Sequence, residues 1–136
     1  MAYVSLDSDQ IKKAHKKHKY SKTQVEQLEK CMDEKDGPLY FMKTFMKIQH
    51  PVKGSIPFHP FPYQERLIAS YNEHRFSIAM LPRQTGKTTC ASGYLIWYAM
   101  FRPDSQILIA AHKYAGASDI MSRVRYAYEM LPSWIK

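Results

Sequence analysis

Apolar positions are sparse over residues 9–35 and dense after residue 76, and their spacing changes along the way. Val25, Leu28 and Met32 recur at helical spacing. Ser21 ahead of them is an N-cap candidate and Gly37-Pro38 behind them a stop signal, so a helix is predicted between. Residues 38–49, PLYFMKTFMKIQ, open with proline at a first helical turn and keep apolar side chains in near-helical register. The next stretch, HPVKGSIPFHPFPYQ, carries Pro51, Pro57, Pro60 and Pro62. Proline fixes φ and removes a donor, so this reads as extended connector, whose Phe58, Phe61 and Tyr63 need a surface to pack on. QERLIASYNEH reads as a short amphipathic helix using Leu67, Ile68 and Tyr71.

From residue 76 the pattern changes to unbroken apolar runs. FSIAML (76–81) and QILIAA (106–111) read as short buried strands. TTCASGYLIWYAMF (88–101) is apolar nearly all round, which predicts a buried helix. RPDS turns the chain. Residues 117–130 read as a helix using Ile120, Met121, Val124, Ala127 and Tyr128, with Leu131 near its end and Pro132 as a stop. Strand, loop, helix, strand, helix is a βαβ unit and predicts a parallel sheet.

The loop between the first such strand and its helix has the chemistry of a phosphate site. AMLPRQTGKTT ends in Gly86-Lys87-Thr88, the close of the pattern G-x-x-x-x-G-K-[ST]. Such a loop curls so that backbone N–H groups point inward and then feeds a helix N-terminus, whose dipole favours anions. Lysine reaches the outer phosphates and the following hydroxyl binds Mg²⁺. The leading glycine of the pattern is replaced by Leu81, and Pro82 follows, so the loop is entered with negative φ. Arg83 could turn inward and stabilise charge on a γ-phosphoryl group as an arginine supplied in cis, or pair with a surface carboxylate. Gln64, upstream, is a helix-start residue whose amide could donate to and accept from an adenine edge at once.

Charge and cysteine content add limits. The chain of 136 residues has net charge +8, spread as +4 over residues 1–53 and +4 over 54–136. That suits a polyanion such as DNA or a nucleotide, and equally a basic domain with no such partner. Cys31 and Cys90 lie too far apart for a metal spacing, which points to a reducing compartment. His15 and His18 sit among lysines that would repel a cation, so a solvated basic face is the reading there. No signal peptide and no membrane span is apparent, and a cytoplasmic protein is expected.

Taken together, FMKIQHPVKGSIPFHPFPYQERLI, RFSIAMLPRQTGKTT and ILIAAHKYAGASDIMSRVRYAYEMLP resemble the large terminase subunit of tailed bacteriophages, especially the contractile-tailed type. The resemblance covers residues 38–136. It implies an α/β fold: an incomplete P-loop NTPase with a parallel βαβ core, preceded by N-terminal helices. Residues 1–37 would be a basic helical or disordered arm, and 38–136 the N-terminal part of the ATPase domain. The resemblance further implies a DNA-packaging motor that uses ATP and Mg²⁺ to drive double-stranded DNA through a portal into the procapsid, coupled to a C-terminal endonuclease. Arg83 and Lys87 would be catalytic. Gln64, Arg83, Gln84, Thr85, Gly86, Lys87, Thr88 and Thr89 would hold the nucleotide, with Thr88 on the metal. Implied partners are DNA, the portal protein, a small terminase subunit and further copies in a ring, in the host cytoplasm and not at a membrane.

Hydrolysis also needs an acid at the end of a later buried strand to hold Mg²⁺ and a carboxylate to activate water. After the loop stand only Asp104, Asp119 and Glu129, one in a turn and two in a helical stretch. The catalytic acid, the coupling motif and the nuclease are therefore expected beyond residue 136, and this piece alone is expected to turn ATP over very slowly or not at all. Two other readings stay open here: a fragment of a helicase-like ATPase, and a non-enzymatic DNA- or portal-binding module with a vestigial loop. A nucleotide kinase is disfavoured, since no acceptor-binding segment or lid is recognisable.

Overall fold

A computed structural model describes residues 19–50 and 52–136. The basic stretch with His15 and His18 lies outside the described residues. The chain forms α1 (Lys22–Met32), α2 (Gly37–Phe45), β1 (Lys47–His50), β2 (Gly54–Pro57), α3 (Pro62–Glu73), α4 (Lys87–Phe101) and α5 (Tyr114–Glu129).

α1 starts where the sequence places its cap. The Gln24 N–H donates to Ser21 Oγ at 3.2 Å, and the Ser21 N–H donates to Gln24 Oε1 at 2.9 Å, a reciprocal capping box. Its inward face differs from expectation: Cys31 is fully buried and Leu28 packs on the core, while Val25 and Met32 are exposed. α2 has Pro38 in its first turn and buries Phe41, Met42 and Phe45. It ends at Phe45, earlier than its apolar spacing suggests. β1 and β2 then pair antiparallel, Lys47 with Pro57, Ile48 with Ile56, Gln49 with Ser55 and His50 with Gly54. β1 thus takes the end of the stretch read as helical, and β2 lies in the proline-punctuated connector. Pro57 closes β2 at its end, a place where a missing donor is tolerated.

α4 is the central element, packed against α2, α3 and α5. Ile96 and Trp97 are buried on it, and Gly93 lets α2 approach closely: a Cβ there would lie 2.5 Å from Met42 Cε and 2.6 Å from Met46 Sδ. The core joins these side chains to Cys31, Phe41, Phe58, Ile68 and, from the C-terminal turn, Leu131 and Ile135. α5 starts earlier than its apolar pattern indicates. Ala127 faces the core, whereas Met121 and Tyr128 are exposed.

The expected parallel βαβ core is not seen. The described residues are mostly helical, and their one sheet is the two-stranded hairpin. Neither 76–81 nor 106–111 joins a ladder. Their burial alternates as in strands, with Ala79, Leu81 and Ile109 half-buried, but Ile78, Met80 and Leu108 are 93%, 92% and 91% exposed. The reason is physical. An apolar run records a preference for burial on both faces, but a strand also needs a hydrogen-bonded neighbour, and no described segment supplies one. Ser77 is tied instead to α3, where its hydroxyl donates to the Ser70 carbonyl at 2.9 Å.

Two outcomes follow for stability. The indole N–H of Trp97 donates to the buried carbonyl of Cys31 at 2.7 Å, so Trp97→Phe leaves that oxygen unpaired and should cost about 2 kcal/mol in urea unfolding. Burial also pushes the thiols up from the ordinary 9.0, Cys31 to about 12 and Cys90 to about 11. The folded chain therefore holds these protons more tightly than the unfolded chain. Their contribution is intact below pH 9.0 and is lost as pH rises through about 11 and 12, so the unfolding midpoint should fall over that alkaline range. Both thiols should react with a disulfide reagent only after unfolding.

Candidate nucleotide-binding site

The site is assembled where α3 begins, at the loop before α4 and on the first turn of α4. Proline at the start of α3 supplies the helical φ in advance, and Phe61 precedes it in extended conformation. The loop turns through two left-handed residues, Gln84 (φ 65°) and Gly86 (φ 75°). Gln84 shows that the loop imposes this geometry on a residue that takes it only at some strain.

Inside the loop the polar groups close on one another. Thr85 Oγ1 donates to the Pro82 carbonyl at 2.9 Å. The Lys87 ammonium returns over the loop and donates to the carbonyls of Leu81 at 3.2 Å and Pro82 at 3.1 Å. The residue in place of the usual first glycine thus contributes its carbonyl oxygen, for which any side chain would serve. Leu81 is compatible with the lysine contact for that reason.

α4 opens on Gly86, which has no side chain to cap it, and its first-turn amides receive no side-chain bond. The ladder begins with the Cys90 N–H donating to the Gly86 carbonyl at 3.0 Å. The N–H groups of Lys87, Thr88 and Thr89 are therefore left at the positive end of a helix dipole, beside an ammonium group. No acidic residue sits in that turn. Anionic oxygens fit this donor set. Among the described residues no three His, Cys, Asp or Glu side chains converge as a metal cage. The Thr88 hydroxyl can supply one ligand to Mg²⁺, which takes most of its remaining ligands from phosphates and water when a nucleotide carries it.

The other expected residues are placed as follows. Arg83 is exposed and forms no ion pair among the described residues, so it is not spent on a surface carboxylate. Gln84 is exposed at the loop's tip, and Thr88 and Thr89 are half-buried. Gln64, 5% exposed, is brought against the loop: its Nε2 donates to the Thr85 carbonyl at 3.0 Å, and its Oε1 accepts from the Phe61 N–H at 2.9 Å. Tyr63 was not singled out by sequence, yet its hydroxyl donates to the same carbonyl at 2.8 Å. A tyrosine on the first turn of a helix carries no pattern that distinguishes this role from packing. Thr89 also lines a cavity of about 450 Å³ with Ser92 of α4 and Asp119, Ser122 and Arg123 of α5. Asp104, in the turn after α4, Asp119 and Glu129 are all exposed.

Residues 78–136 match the family model of the terminase large subunit, T4likevirus-type, N-terminal. Over these residues the chain is similar to the N-terminal part of terminase large subunits. The match takes in the whole loop, α4 and α5, and it bears out the resemblance over these residues; the block FMKIQHPVKGSIPFHPFPYQERLI lies ahead of it. The helicase-like reading loses ground accordingly. α1 to α3 and the hairpin lie ahead of the matched terminase segment, so Tyr63 and Gln64 enter the site by geometry alone. No helix among the described residues is long and apolar enough to cross a membrane.

Gly86 leaves no room for a side chain in this loop. A Cβ there would stand 2.6 Å from Gln64 Nε2, at a φ that side chains rarely adopt. Gly86→Ala should lower stability by about 1–2 kcal/mol in urea unfolding and remove the Gln64 contact with the loop.

Proposed function

We propose that the 82–88 loop and the first turn of α4 bind Mg²⁺·ATP, as the N-terminal part of a terminase large subunit that drives double-stranded DNA into a procapsid. The observation that supports this most is the uncapped start of α4, with the Lys87 ammonium folded back over the loop beside it. Bound phosphate oxygens would take the free N–H groups, and the lysine would exchange part of its contact with loop carbonyls for the outer phosphates. Thr88 would hold Mg²⁺ together with those phosphates. Arg83, exposed and without a carboxylate partner, would swing to the γ-phosphoryl group, where transition-state charge collects. Gln84, Thr85 and Thr89 would contribute loop and first-turn contacts. Gln64 keeps one amide hydrogen and one lone pair beyond its two bonds, and these would meet the adenine edge.

Binding and hydrolysis separate in this proposal. The three carboxylates after the loop are exposed, and none makes a described contact with it. The chain therefore binds ATP without steady turnover. The acid that activates water, and the endonuclease, are assigned to the full terminase, as are the portal, the small subunit and the ring of copies. The net charge of +8 is suited to the DNA it would move.

Titration of the chain with Mg²⁺·ATP by calorimetry tests this. The expected result is saturable binding that weakens at least about tenfold in Lys87→Ala, the loss of one charge-assisted contact to phosphate. Equal binding by both forms, or none by either, would reject the loop as the site. DNA binding with a steep salt dependence and no ATP binding would favour the non-enzymatic module.

A further inference from the structure

The Thr85–Gly86 peptide is held from outside the loop by two donors on adjacent residues. Tyr63 Oη lies 2.8 Å and Gln64 Nε2 3.0 Å from the same oxygen, across about twenty residues of chain. A carbonyl has two lone pairs, and this one has both engaged. In a trans peptide the C=O and the next N–H point in opposite directions. Pinning the Thr85 oxygen toward α3 therefore aims the Gly86 N–H away from α3, and no backbone acceptor meets that N–H among the described residues.

The peptide would otherwise be free to turn. It lies between two residues of left-handed φ, Gln84 and Gly86, and glycine crosses between backbone regions at little cost. Both clamp residues are themselves held. Gln64 Oε1 is fixed by the Phe61 N–H, and the Tyr63 ring stacks on Phe61 at 5.9 Å with planes 6° apart. Both stand on the first turn of α3, whose proline sets its start.

We propose that Tyr63, acting with Gln64, is a positioning residue of the phosphate site: its hydroxyl clamps the Thr85 carbonyl and so keeps the Gly86 N–H aimed into the loop's concavity. This rests on the reading of the loop as a phosphate site, and for Tyr63 it predicts a role that is blind to the nucleobase. Tyr63→Phe removes the hydroxyl alone and keeps the ring stack.

The test uses the full chain and two readouts. Backbone ¹⁵N relaxation without nucleotide reports the clamp itself: the Thr85 and Gly86 amides should gain motion in Tyr63→Phe, with α3 and α5 unchanged. Binding reports its purpose: in Tyr63→Phe, affinities for ATP, GTP and inorganic tripolyphosphate should fall together, roughly fivefold, the worth of one net hydrogen bond. Unchanged loop motion overturns the clamp. A loss confined to adenine nucleotides also overturns it, and assigns Tyr63 to base recognition. Greater loop motion in a chain that binds none of the phosphate probes rejects the phosphate reading of the loop, and with it the clamp's assignment to phosphate binding.

Discussion

Three elements meet at the carbonyl oxygen of Cys31. It belongs to the last turn of α1, where helix carbonyls have no partner within the helix. The Trp97 indole of α4 supplies one at 2.7 Å. Gly37, at the start of α2, crosses so near that a Cβ would stand 2.5 Å from the same oxygen and 3.4 Å from the Trp97 ring. The Arg102 guanidinium lies over that indole, 5.4 Å from its centre. A single acceptor thus joins the N-terminal helices to the C-terminal half of α4, and α4 carries the loop at its other end. The loop's direction is fixed through this helix, although no residue of the node is near it in sequence.

The same division of labour recurs at the loop. Its inner contacts are local: Thr85 and Lys87 bond carbonyls three to six residues back, as short-range chemistry allows. Its orientation is not local, because the bonds that hold the Thr85 carbonyl come from α3. Phosphate binding of the kind proposed depends on where the loop's N–H groups point, so under that proposal the distant contacts matter as the lysine does. Rigid support of a loop from a neighbouring helix is the physical condition for such preorganisation.

The exposed apolar side chains of 76–81 and 106–111 follow from the fold's balance of faces. α4 and α5 cover the inner positions; Ile107 and Ile109 line a space of about 400 Å³ with Leu95, Met121 and Val124. Among the described residues, nothing covers the outer positions Ile78, Met80 and Leu108. Helices can satisfy their own backbone, so the helical part forms fully from these residues, whereas strands depend on a second segment for theirs.

Several local signals were read correctly, because the responsible atoms are neighbours in the chain. The Ser21 cap, the proline-led start of α2, the helix after Gly86 and its buried face were legible, and the family match agrees with the motif order after residue 78, whereas α3 starts at Pro62, inside the stretch read as extended. The hairpin was missed because residues 47–49 continue a near-helical apolar register and prolines mark the stretch after them, and the parallel core was expected because apolar runs do not reveal whether a ladder partner exists. Sequence alone determined which residues could bind phosphate, since glycine, lysine and threonine carry that chemistry by type and spacing. Only the tertiary structure decided that Tyr63 shares the site and that the Gln64 amide faces the loop, because a hydrogen bond between residues about twenty positions apart depends on how two helices pack.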